Sequence, residues 1–357
     1  MVLMTALRHL SHSYFWDTMT TVPALAEIEP DWGAQVIENF TQHIGSHDCP
    51  PFAISAFPNI KGEKRSWRGS QAPIAGWAVQ KHAECTGKTD LVSRLYPELK
   101  KINDSWFEHA DPDGNGIPVW VNTGAAADDS PLYDMYAGAR KWHNIYLPPI
   151  ASTCLCSYLL MDMRCLEKMA HLLGKKDDEQ MWTEKTRAFD RKMLDLLWDD
   201  EEKIFYDRDL TIYRPNKVKT FFNLLPLWAG ISLAEDDARA AIERHLLNPE
   251  EMWGEVPFPS VAYNEPTYDP MGYWRGRGWP HIYFWNSEIL AKYGYTKEAN
   301  EAKRRFLSMT ADAVDIPENF VSTIRTGSRR DHGAPHYSWG LATTLYFLWD
   351  WHLKPLS

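Results

Sequence analysis

Residues 177–198 read DDEQMWTEKTRAFDRKMLDLLW. Met181, Ala188, Met193, Leu196 and Leu197 recur at a spacing that gathers them on one broad apolar helix face, with charge round the rest. Asp177 and Asp178 stand at the amino end, where the helix dipole favours negative charge. The same periodicity runs through the chain. It predicts helices near 17–28, 31–44, 70–86, 90–109, 150–173, 177–198, 217–232, 235–247, 279–294, 296–313 and 335–354. In the tenth of these, Lys297, Glu298 and Glu301 to Arg305 form a solvated face, with Phe306 and Met309 turned inward. Several segments are joined by only two to five residues, as in αα-hairpins.

Longer stretches, at 45–69, 110–132, 199–216, 248–278 and 314–334, separate the pairs and read as irregular. They hold most of the Gly and Pro, yet they are rich in Trp, Tyr and Asp. Loops beyond about 15 residues in a compact domain are functional or disordered, and this composition selects function. Eleven helices, twelve if one precedes Phe15, arranged as hairpins with long loops at one end, predict an all-α (α/α)6 toroid. No linker divides residues 1–357, so a single domain is expected.

A net charge of −10 repels phosphate backbones, which argues against a nucleic-acid partner. No apolar run approaches the ~18 residues of a membrane span. The opening MVLMTALRHLSHSYFWD, with Arg8, His9 and His12 (His43 lies further on), lacks the pattern of a secretory signal. Five cysteines (Cys49, Cys85, Cys154, Cys156, Cys165) show no zinc-like pairing, and Cys154 and Cys156 point to different faces of one helix. Reduced buried thiols in a cytoplasmic protein are the expectation. Seventeen tryptophans, 16 tyrosines and 14 phenylalanines enlarge a core, and they also suit the flat C–H faces of sugar rings.

Three loops concentrate chemistry. Asp111 to Asp134 gathers Asp128, Asp129 and Asp134 beside Gly124 and Ser130. Its Asp111, Asp113, Asn115 and Gly116 match the front half of a calcium loop, but Asn122 stands where the closing Glu belongs, so no metal or cofactor is expected. Gly254 to Trp279 ends in Tyr273-Trp-Arg-Gly-Arg-Gly-Trp279, two indoles and two guanidiniums at a helix start. Such arginines fork onto sugar hydroxyls, hold a carboxylate, or brace a loop against aromatic faces. Pro317-Glu-Asn-Phe320 leads through a Gly-rich stretch to Trp339 and Gly340.

Five elements stand in order: Phe15-Trp-Asp17, Ser70-Gln-Ala-Pro73, Gly124 to Pro131, Tyr273-Trp-Arg-Gly276, and Glu318-Asn-Phe320 followed by Thr326-Gly327 and Ser338-Trp339. Together they resemble the catalytic domain of glycoside hydrolase family 63 and, more distantly, the family 37 trehalases. The likeness is to members reduced to the toroid, without a β-sandwich. It implies inverting cleavage of an α-glucoside or α-mannoside in a small glycoside or oligosaccharide, with Asp128 as general acid and Glu318 as general base. It also implies Phe15, Trp16, Asp17, Gln71, Asp129, Tyr273, Trp274, Arg275, Gly276, Trp279, His336 and Trp339 as the surroundings of the sugar. The sequence departs from the family pattern at three places. Ala72 replaces a proline, Ala125 to Ala127 replace a one-residue spacer with Asp129 in place of Asn, and Arg277 stands where proline is usual. Asp129 therefore competes with Asp128 as acid.

Cleaving a glycosidic bond takes a proton for the leaving oxygen and an activated water, which two carboxyls supply when their environments separate their pKa values. In the inverting arrangement they stand ~6.5–9.5 Å apart. Asp128, desolvated among aromatics, is expected to be protonated, and Glu318 ionised. Two other readings stay open. An isomerase or lyase on the same toroid would work through His82, His281, His332 or His336, the last two lying in the base loop. A non-catalytic sugar-binding protein would need no acid opposite a base. Arg65, Arg68, Arg277, Arg325, Arg329 and Arg330 near the loops fit either an anionic aglycone such as glycerate or a solvated face.

Overall fold

The structure, a computed structural model, describes residues 12–42, 53–55, 71–120, 127–135, 149–311, 316–322 and 333–352. Eleven α-helices stand among them: α1 (Phe15–Ile28), α2 (Pro30–Thr41), α3 (Ala75–Thr86), α4 (Asp90–His109), α5 (Thr153–Leu172), α6 (Lys176–Leu197), α7 (Leu225–Ala229), α8 (Glu235–Ala241), α9 (Pro280–Lys292), α10 (Thr296–Ala311) and α11 (Ser338–His352). The odd-numbered helices pack successively, α1 on α3, α3 on α5, α5 on α7, α7 on α9 and α9 on α11. Helix α11 then returns to α1, closing a ring of six. Helices α2, α4, α6 and α10 lie against the partners they follow. This is the (α/α)6 toroid.

Residue pattern explains the layering. Helix α9 buries every residue from Pro280 to Ser287, as an inner helix touched on all sides must. Helix α6 buries only a stripe: Trp182, Thr186, Phe189, Asp190, Met193 and Leu197. That stripe corrects the face expected from sequence. Met193 and Leu197 lie on it, Met181 and Leu196 are half-buried, and Ala188 is exposed. Trp182 carries the seam because its indole buries a large apolar area while its N–H donates to the Tyr96 hydroxyl (3.0 Å). In α10, Phe306 is buried and Met309 half-buried, as expected.

Other corrections concern short elements. The helix expected over 217–232 is a 3₁₀ turn (Phe221–Leu224) followed by the five-residue α7. Thr220 and Asn223 form a capping box that starts it, and Gly230, at φ +81°, stops it. Helix α8 continues as a π-helical turn, Ile242–Leu246. The stretch 199–216, expected to be irregular, lies within two small antiparallel sheets. β4 (Trp198–Asp199) pairs with β5 (Ile204–Phe205), and β3 (Ile150–Ala151) and β7 (Arg214–Asn216) flank β6 (Asp207–Asp209). Strands of two or three residues carry no readable alternation. Backbone pairing across distant segments makes them, and the Asp207 carboxylate then accepts from the Thr153 N–H and hydroxyl (both 2.7 Å) at the start of α5. Instead of a further helix turn directly before Phe15, β1 (His12–Tyr14) pairs with β2 (Ala53–Ser55).

Inner helices connect to outer ones through five residues or fewer: 29, 87–89, 173–175, 230–234 and 293–295. Outer helices connect to the next inner helix through 42–74, 110–152, 198–224, 247–279 and 312–337. The long loops therefore emerge at one end of the ring, beside the amino termini of the inner helices, where the helix dipoles are positive. No helix among the described residues is long and apolar enough to cross a membrane. Cys154, Cys156 and Cys165 are buried free thiols and Cys85 is half-buried; Cys49 lies outside the described residues.

Candidate active site

Two backbone hydrogen bonds between Phe320 and Gly278 (2.8 and 2.9 Å) join the loop before α11 to the loop before α9. They fix Glu318, whose N–H donates to the Ala334 carbonyl (2.8 Å) and whose carbonyl accepts from the Trp339 indole (2.8 Å). The side chain is 8% exposed. Its Oε1 accepts from the Tyr273 hydroxyl (2.5 Å) and its Oε2 from the Asn319 amide (3.2 Å). Burial pushes Glu318 up to about 7, and the charge of Asp128 adds to the rise. The Tyr273 hydrogen bond and the charge of Arg277 work against it.

Asp17, in the first turn of α1, is 3% exposed and accepts from the Tyr337 hydroxyl (2.6 Å). Burial raises it to about 7 as well, with Glu318 and Asp128 contributing and Tyr337 opposing. Three carboxyls from three distant segments of the chain thus share one field. The expectation that desolvation falls on Asp128 is corrected: Asp128 is half-buried, and Glu318 and Asp17 take the burial. Asp128 sits on the turn between Ala127 and Ser130, whereas the other two are walled in beside helix starts.

Asp129 does different work. Its Oδ1 accepts from the Trp274 N–H (2.6 Å) and its carbonyl from Arg275 (3.0 Å). Burial raises this carboxyl, and the Trp274 N–H holds it down. Arg275 also forks onto both oxygens of Asp134 (3.0 and 2.5 Å), latching 127–135 to the loop before α9. Removing the guanidinium as Arg275→Ala is expected to cost about 1–3 kcal/mol, since charge-assisted bonds are lost from a half-buried pair. Urea unfolding checks it; an unchanged midpoint would mean the latch holds nothing.

The indoles build the rest. Trp274 and Trp279 stack face to face (3.7 Å, 8°), and Trp339 meets Trp279 edge-on (5.6 Å). Trp16 lies 6.0 Å from Trp274 and 5.8 Å from Trp339, while Tyr273 meets Trp279 edge-on (4.8 Å). Gln71 accepts from the Trp16 N–H (3.0 Å), fixing the start of α1. Gly276 allows a close approach, because a Cβ there would stand 2.4 Å from the Asp269 carbonyl oxygen. Phe15 turns away onto Phe40 of α2 (5.4 Å).

Of the histidines, His281 lies inside the indole cluster, 4.4 Å from Trp339, and burial lowers it to about 3, so it is neutral. His82 bonds the Pro30 carbonyl (2.8 Å) in the helix layer. His336 is exposed with φ +55°, directly before Tyr337. Arg277 reaches Asn319 and Met271. His332, Ser70, Gly124 to Ala126, Thr326, Gly327, Arg65, Arg68, Arg325, Arg329 and Arg330 lie outside the described residues. In the Asp111 loop the carboxylate accepts from the Asn115 and Gly116 N–H groups (3.1 and 2.7 Å), the work of a turn. Tyr337 and Asn319 were missed in the sequence reading. Both touch the carboxyl cluster, and their adjacency to Trp339 and Glu318 was the available signal.

Buried carboxyls ringed by indoles at the loop end of an (α/α)6 toroid are the arrangement of a glycoside hydrolase. The family profile described as the mannosylglycerate hydrolase MGH1-like glycoside hydrolase domain matches residues 2–340, and the chain belongs to that family. It is similar to the mannosylglycerate hydrolase of Thermus thermophilus, 30% identical over 159 residues, 43% of this chain and 35% of that protein. It is also similar to mannosylglycerate hydrolase MGH2 of Selaginella moellendorffii, 22% identical over 94% of this chain and 80% of that one. Among solved structures, the Thermus thermophilus GH63 mannosylglycerate hydrolase in complex with glucose superimposes with a TM-score of 0.81 at 20% identity, covering 96% of this chain and 95% of that one. Neutral trehalase Nth1 of Saccharomyces cerevisiae does so at 0.70 and 17% identity, covering 97% and 73%.

Proposed function

We propose that this glycosidase inverts a small α-glycoside, with Asp128 as general acid and Glu318 as general base. The observation that carries the reading is the hydrogen bonding of Glu318. Both of its oxygens accept from donors, the arrangement that suits a carboxylate. Burial makes that anion costly, so a proton on Asp128, which removes one neighbouring charge, lowers the cost. The pair then holds one proton throughout. Asp128 gives its proton to the glycosidic oxygen as the C1–O bond breaks. Water attacks C1 from the opposite face and passes its proton to Glu318, and solvent resets the two.

Asp129 is the weaker choice of acid, because its carboxylate is engaged with the Trp274 backbone. Trp16, Trp274, Trp279 and Trp339 wall the sugar in, and Asp17, held by Tyr337, bonds its hydroxyls. Mannosylglycerate is the first substrate to try, on the strength of the relatives' names, with glucosylglycerate beside it as the glucoside of the same aglycone. A hydrolase is favoured over an isomerase or lyase because the histidine among the site indoles is buried and neutral, packed as an aromatic.

Proton NMR of the reaction with mannosylglycerate, glucosylglycerate, trehalose and kojibiose tests this. Trehalose and kojibiose also release a second glucose in its own anomeric form, so the stereochemistry is read on the two glycerate glycosides. There the β-anomer should appear first and the α-anomer only by mutarotation. Initial release of the α-anomer would mean retention and overturn the mechanism. Turnover of none of the four would move the substrate outside small α-glycosides.

A further inference from the structure

We infer that Arg277 sets the basicity of Glu318 from a distance, through the side chain of Asn319, and is a positioning residue for the reaction. The inference rests on the reading of Glu318 as base. Arg277 donates from Nη1 to the Asn319 Oδ1 (2.8 Å) and from Nε to the Met271 carbonyl (3.1 Å). A guanidinium has only donors, so the Asn319 carboxamide must turn its oxygen toward Arg277. Its NH2 group is then obliged to face Glu318, where Nδ2 meets Oε2 at 3.2 Å.

The amide cannot turn over to escape this. Asn319 is fully buried, and its backbone carbonyl accepts from Gly333 (3.1 Å). Gly333 stands so close that a Cβ there would fall 2.5 Å from Nδ2. The loop carrying Arg277 is equally fixed, since its carbonyl accepts from the Ser260 N–H (2.9 Å) and the next residue, Gly278, pairs with Phe320.

The spacing has a chemical consequence. A cation in direct contact with Glu318 would hold it far below neutrality and make it a poor base. One amide removed, the charge acts through an oriented dipole, which offsets part of the burial while the carboxylate keeps its affinity for a proton. The relay depends on arginine here, since an apolar residue at 277 would offer Asn319 no donor. Gly333 and Arg277 both close on this one amide.

The pH profile of kcat/KM tests the relay. The rising acidic limb reports ionisation of the base in the free enzyme, near 7 for Glu318. In Arg277→Met, which keeps bulk and loses every donor, the limb should move up by about one pH unit. The loss is then concentrated on the acid side, about tenfold below the limb, and Arg277→Lys should return the limb toward wild type. A limb that stays put in Arg277→Met, even with the rate lowered at every pH, would reduce Arg277 to a loop brace and overturn the relay. If Arg277→Met fails to fold, Arg277→Leu carries the same comparison. Carbon-13 NMR titration of the Glu318 carboxyl, assigned by its loss in Glu318→Gln, separates the two readings. Should the wild type cleave no glycoside, the hydrolytic reading falls, while the carboxyl titration in Arg277→Met still moves up or refutes the relay.

Discussion

Glu318→Gln is expected to lower kcat by about 10³–10⁴-fold while substrate binding changes little, the loss typical of a missing general base. The argument is local. Glutamine has the shape of glutamate, and the backbone contacts of residue 318 to Ala334 and Trp339 do not involve the side chain. The Tyr273 hydroxyl rotates to suit either amide atom, so the site stays assembled. Only the capacity to take a proton from water goes. Azide needs no deprotonation, and it should restore turnover and give the inverted glycosyl azide. If Glu318→Gln instead retains more than about a tenth of wild-type turnover, the base lies elsewhere. Asp17 would then be the group to examine, because it is the other carboxyl of this site that burial raises to about 7.

Asp128→Asn should lose as much on a poor leaving group and far less on a good one. An alkoxide such as that of glycerate must be protonated as it departs, and without an acid the rate should fall about 10³-fold or more. A glycosyl fluoride or a nitrophenyl glycoside leaves unaided, so its hydrolysis should fall by much less. Asp129→Asn should show no such dependence. Its carboxylate accepts from the Trp274 N–H and its carbonyl from Arg275, so its loss loosens the latch and affects all substrates alike. Measuring both variants on both classes of leaving group decides which aspartate is the acid. The assignment to Asp128 is falsified if the leaving-group dependence follows Asp129.

The groups that meet at this end of the ring stand in short ordered motifs of the sequence, Trp16, Asp17 and Trp339 at helix starts and Asp128, Tyr273, Trp274 and Glu318 in the loops. Their protonation was not legible. Asp128 looked like the desolvated group because the site loops are rich in aromatic residues. Its neighbours in space leave it half-buried and bury Glu318 and Asp17 instead. Asp129 illustrates the same limit. Next to Asp128 it read as a rival acid, and only its hydrogen bond to a backbone 145 residues away shows it latching the loop. Arg277 read as a departure from a pattern, and its partner is likewise distant in the chain.

The sequence by itself determined the helices, their alternation of short and long connections, and so the gathering of functional loops at one end. Those are local properties, since apolar spacing, capping residues and turn glycines act within a few residues of themselves. Closure of the ring, the two small sheets and the face of α6 that turns inward were decided only by tertiary structure. So were the burial of Glu318 and the orientation of Asn319. Each depends on which distant surfaces remove a group from water or offer it a donor, and a carboxyl carries no mark of that until the chain has closed around it.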